Sequence, residues 1–114
     1  MKHKLYVRLQ GCNKELLDDM VKHIRDHKID ELNFTKDLDG GYVNCKTTAE
    51  IIGKDVIMNS IYEGKGQEFE ETMAKLKSEI LSGEFQRSIQ KEFKPEDKEK
   101  CNKVIVTYEL IRTY

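Results

Sequence analysis

A chain of 114 residues with 38% apolar side chains, 36% charged side chains and a formal net charge of −1 holds one domain's worth of sequence, its core thin beneath a heavily solvated surface. Recurrent apolar periodicity and near-neutrality exclude a wholly disordered chain. They also argue against a partner gripped mainly by charge, such as duplex nucleic acid or an anionic membrane. No apolar run approaches the roughly 20 residues of a bilayer span, and Met1-Lys2-His3-Lys4 leads into an alternating segment instead of a signal-peptide core. Cys12, Cys45 and Cys101, odd in number and widely spaced, fit reduced thiols better than a disulfide framework. The expected location is the cytoplasm, with no membrane association.

The first segment alternates Leu5, Val7 and Leu9 with Tyr6, Arg8 and Gln10, the period of a strand lying on a core. Gly11-Cys12 breaks it, and Asn13 is suited to cap a helix whose first turn carries Glu15. Leu16, Leu17, Met20, Val21 and Ile24 then form one apolar stripe, and the helix is expected to stop near Lys28. Leu32 and Phe34 alternate with Asn33 and Thr35. Asp39-Gly40-Gly41 supplies a reversing turn, and Tyr42 to Thr47 returns as the second arm of a hairpin with Val43 and Cys45 facing in.

Thr48 to Tyr62 reads less plainly. Thr48-Ala49-Glu50-Ile51-Ile52 has the composition to open a short helix, yet Gly53 interrupts it, and a strand from about Asp55 to Tyr62 is favoured. A loop at Gly64-Lys65-Gly66 precedes a second helix with Phe69, Met73, Leu76 and Ile80 on one face, stopped at Gly83. Phe85, Ile89 and Phe93 fit either period. The helix formers around them, Glu84, Gln86, Gln90, Lys91 and Glu92, favour a third helix. The charged run Lys94 to Lys100, with the sole proline Pro95, is read as an exposed connection or single turn leading into the last strand. The last segment puts Val104, Val106, Tyr108 and Leu110 on one side of a strand and Thr107 and Glu109 on the other, and its natural partner is the first strand.

This order predicts a single α+β domain over residues 1–114, one antiparallel or mixed sheet with helices on one face. It resembles the ferredoxin-like arrangement with a helical insertion before the last strand. That fold hosts many unrelated activities and implies none.

Four groups of residues invite a chemical reading. His23 and His27, one helical turn apart with Asp26 and Asp30 close by, have a metal-pair spacing but lack a third ligand, so boundary histidines are expected and no metal or cofactor. Gly64-Lys65-Gly66 has glycines where a phosphate loop would, but Glu63, Glu68, Glu70 and Glu71 would repel an anion, which leaves a plain turn. Cys12 precedes a helix N-terminus able to lower a thiol pKa, Cys45 reads as core, and Cys101 falls in a charged loop. No histidine partner makes any of them a catalytic nucleophile. On the sheet face away from the helices, Tyr6, Arg8, Tyr42, Asn44 and Lys46 share a surface if the first strand neighbours the one at Tyr42 to Thr47. Stacking rings beside basic groups resemble the platform of RNA-recognition modules, although the Gly-Phe-rich signature is absent and Glu109 stands on the same face.

The leading expectation is a small non-enzymatic protein that docks to another protein, with homodimerisation through a sheet edge as an accompaniment. Its Lys-, Ile- and Glu-rich composition suits a phage or mobile-element accessory protein. The alternatives are a single-stranded RNA- or DNA-binding module using Tyr6, Arg8, Tyr42 and Lys46, and a small histidine- or metal-dependent enzyme using His23, His27 and Asp26.

Overall fold

In a computed structural model of the chain, which describes residues 2–95 and 98–111, the alternating segments at the two ends pair with each other. Strand β1 (Lys2–Gln10) runs antiparallel to the last strand, β5 (Lys103–Ile111), with Leu5 opposite Tyr108, Val7 opposite Val106 and Leu9 opposite Val104. Between them lie helix α1 (Lys14–Arg25), a 3-10 turn (Lys28–Leu32), strands β2 (Phe34–Leu38), β3 (Gly41–Ile52) and β4 (Asp55–Lys65), and helices α2 (Gln67–Leu81) and α3 (Glu84–Phe93). All five strands form one antiparallel sheet in the order β2-β3-β4-β1-β5, which is not the four-strand order of a ferredoxin-like sheet.

Every second residue of β1 is buried: His3, Leu5, Val7 and Leu9. The same parity continues through Val56 on β4 and Val104 on β5. These residues share a core with Leu16 and Met20 of α1 and Ile80 of α2, while Phe85, Ile89 and Phe93 of α3 pack against it. A smaller cluster of Val43, Phe69 and Met73 extends the core under the start of α2. Burying such side chains supplies about 1.5–3 kcal/mol each against chain entropy. No helix of the described residues is long and apolar enough to cross a membrane.

The helix ends follow local chemistry. The Asn13 Oδ1 accepts from the Leu16 amide at 2.9 Å, the cap foreseen from sequence. Helix α1 stops at Arg25, earlier than Lys28, because His27 takes a left-handed conformation (φ 57°) and the chain tightens into the 3-10 turn. Leu32 therefore belongs to that turn and not to a strand. Gly83 (φ 82°) ends α2 and opens α3, a junction a side chain would strain.

A segment left open between helix and strand is settled, and one strand boundary moves. Thr48 to Ile52 forms no helix: β3 continues through Ile52 and turns over Gly53-Lys54 into β4, with Ile52 opposite Asp55. Non-local pairing with β4 overrides the helix-compatible composition. Strand β4 also runs three residues beyond Tyr62, to Lys65. Of the charged run before β5, Glu96 and Asp97 lie outside the described residues, whereas Lys98 extends to the Glu15 carboxylate at 2.7 Å.

Candidate functional site

The face of the sheet opposite the core parity is where the five candidate residues fall, but their neighbours differ from those expected. Strand β4 lies between β1 and β3, so Tyr6 faces Asn59, and Asn59 faces Thr48. Tyr42 lies six residues further along β3, about 20 Å away at strand rise. The structure thus sets Lys46 in the row of Lys4, one step from that of Tyr6 and two from that of Arg8, and leaves Tyr42 and Asn44 further along β3, opposite Lys65 and Glu63. A two-tyrosine stacking platform does not assemble, because β4 separates β1 from β3, and strand order is not a local property.

What does assemble around Tyr6 was not singled out from sequence. Lys4 and Lys46 both face Ile61, and Arg8 faces Ile57 and Ile105. The Asn59 carboxamide oxygen is buried and has no hydrogen-bond partner among the described residues, an unsatisfied acceptor that costs about 1–3 kcal/mol where it stands. The signal was available in the alternation Ile57, Asn59, Ile61, Glu63 once β4 is placed at the sheet's middle.

Three of the basic residues on this face, Arg8, Lys2 and Lys4, stand beside carboxylates. Arg8 Nη2 reaches Asp55 Oδ2 at 2.6 Å and Arg8 Nε donates to the same oxygen at 2.9 Å, while the other oxygen accepts from the Gly11 amide at 3.0 Å. The Gly11 amide, and after it Arg8, holds the Asp55 carboxyl below its ordinary pKa. Lys2 Nζ lies 3.9 Å from Glu63, and Lys4 stands opposite Glu109 in the register.

The histidine pair does not form a site. His23 Nδ1 lies 2.7 Å from the backbone oxygen of Asp19, on the helix, whereas His27 is beyond the helix end and largely exposed. Among the described residues no group of three His, Cys, Asp or Glu side chains converges on one point. Gly64 and Lys65 are strand residues paired with Val43 and Tyr42, so no phosphate-type loop exists there.

All three cysteines are free and buried. Cys101 is not in an exposed charged loop but in the main core beside α3, where its thiol approaches the Phe93 carbonyl at 3.9 Å. Burial pushes the Cys12 and Cys101 thiols up, and this overrides any helix N-terminal effect at Cys12.

A buried histidine does exist, at the opposite end of β1. His3 Nδ1 lies 2.6 Å from the Tyr108 hydroxyl, and its ring meets Phe69 edge-on at 5.6 Å between centroids. Desolvation lowers its pKa from 6.5; Glu70 opposes that shift and Lys77 adds to it. The unfolded chain therefore binds this proton more readily than the folded one. Stability contributed here is intact above pH 6.5 and declines as the pH falls below it, levelling off below the folded pKa. Urea midpoints measured across that window should fall with pH more steeply in the natural protein than in His3→Gln, and equal slopes would refute the assignment. His3 shares parity with Leu5 and Val7, the signal that sequence reading passed over.

One apolar groove of about 330 Å³ opens between β2 and α2, with Phe34, Leu38, Tyr62 and Met73 in its walls. Phe34 has the inward parity of Cys45, its register partner, yet stands exposed. Burial pushes the Tyr62 hydroxyl up to about 12.

Comparison with known proteins adds no relative to this picture: no family model, no curated protein and no solved structure matches the chain.

Proposed function

We propose that the protein is a non-enzymatic docking module that receives another protein on the open face of its sheet, around Tyr6, Arg8 and Lys46. The reading takes all three helices to lie on one side of the sheet, which the parity shared by the buried strand residues of the core supports, Ile57 of β4 alone being buried on the other face among the described strand residues. It also takes the architecture to be a ferredoxin-like core widened by one strand. Without β2 the order is β3-β4-β1-β5: β1 and β3 run parallel with β4 between them, and β4 and β5 run parallel with β1 between them. Three buried free thiols suit a reducing compartment, and on that ground we read the protein as cytoplasmic.

The observation that carries the reading is the charge pairing on the face. With Arg8 tied to Asp55, Lys2 to Glu63 and Lys4 facing Glu109, a polyanion meets little net attraction. What remains for contact is Tyr6 with the half-buried Ile61 of β4 and Ile105 of β5. The competing reading, single-stranded nucleic acid, rests on Tyr6 lying between Lys4 and Arg8.

A photo-crosslinking residue at position 6 or 46 should capture one and the same protein, and one at the exposed Lys75 of α2 should not. Capture from α2 alone, or from no position, would refute the docking face. Oligonucleotide binding that weakens with salt and with Tyr6→Ala would establish the nucleic-acid reading in its place.

A further inference from the structure

Strand β5 is one of the two outer strands of the sheet and, among the described residues, pairs only with β1. The Gln10 carbonyl accepts from the Asn102 amide at 2.8 Å, so the backbone of Gln10 faces β5. By antiparallel alternation Lys103, Ile105, Thr107 and Glu109 return their bonds to β1, and Val104, Val106, Tyr108 and Leu110 aim their amides and carbonyls outward. A second contact agrees: the Val104 carbonyl accepts from the Gln86 side chain of α3 at 3.1 Å, on the outer side. Among the described residues that is the one side-chain hydrogen bond to an outward backbone group of β5. It carries no proline, and its single lysine stands at its first position. Open backbone groups on a long β-branched strand are a template for another strand.

We propose that a second copy of this chain occupies that edge, β5 against β5 about a two-fold axis at Val106, joining two sheets into one. Backbone direction permits only registers that set outward-facing residues opposite one another. Lys103 and Glu109 are the only charged residues of β5. Of the symmetric registers, the one centred on Val106 alone sets Lys103 opposite the second copy's Glu109, twice over. It also places Val104 opposite the second copy's Tyr108, an aromatic against a β-branched residue on the core side. Gln86 yields or shares the Val104 carbonyl, which has a second lone pair. This edge is a different surface from the open face, so dimerisation and docking stand or fall separately.

The test is a charge exchange read by sedimentation equilibrium. The natural chain should dimerise. Lys103→Glu leaves both positions negative and Glu109→Lys leaves both positive, and each variant alone should dimerise more weakly by roughly tenfold or more, since both symmetry-related sites turn from attraction to repulsion. Mixing the two variants should restore natural affinity as a heterodimer, a result that general destabilisation cannot produce. A natural chain that stays monomeric, variants that dimerise unchanged, or a mixture that fails to recover would each overturn the proposal.

Discussion

Replacing Phe69 by Ala lowers the unfolding free energy by about 3–5 kcal/mol, the cost of deleting a buried aromatic ring and leaving its cavity. The ring is only 1% exposed and the largest of the fully buried side chains. It joins Val43 and Met73 beneath α2, meets His3 edge-on, and lies against Gly64 of β4. Through these contacts it links three strands to one helix, and the neighbouring backbone cannot close the gap without giving up sheet pairing. A domain of this size holds about 5–15 kcal/mol in all, so the variant should stand close to unfolding. Urea denaturation checks this, and a loss below about 1 kcal/mol would mean that Phe69 is not in the core.

Gly64→Ala should follow in severity, although the substitution adds one methyl group. A Cβ on Gly64 would collide with the Tyr42 carbonyl oxygen and stand 2.9 Å from the Phe69 ring. One neighbour is backbone held in the β3–β4 ladder and the other is the core ring, so neither moves freely. Overpacking of this kind costs typically about 1–3 kcal/mol, and more where backbone must shift. Gly53→Ala is the matched contrast, since its Cβ would meet nothing within 4 Å and only the left-handed backbone (φ +61°) resists it, for about 1–2 kcal/mol. Chemical denaturation should rank Gly64→Ala as the more damaging, and the reverse order would contradict the close packing of α2 on β4.

What could be read from sequence was whatever local periodicity determines. The two-sided alternation at Leu5 to Leu9 and at Val104 to Leu110 marked both end strands and their pairing, and the Leu16 to Ile24 stripe with its Asn13 cap marked α1. The helix formers around Ile89 settled α3. Non-local facts were not legible. Thr48 to Ile52 is a strand because β4 pairs with it, and nothing within those five residues says so. The insertion of β4 between β1 and β3 separates Tyr6 from Tyr42 and installs Asn59 and Ile61 in the middle of the proposed docking face. His27 left the helix through its own backbone angle, and Cys101 was taken into the core by packing under α3, neither of which a spacing rule registers.

Both the docking face and the dimer edge depend on β1 being an interior strand and β5 an outer one. Residue-resolved amide hydrogen exchange on the Lys103→Glu variant, diluted to monomer, examines this. Slow exchange throughout Leu5 to Leu9, with Ile105, Thr107 and Glu109 slow and Val106 and Tyr108 fast, is the expected result. Uniform protection along β5, or rapid exchange in β1, would contradict the sheet order and with it both surfaces.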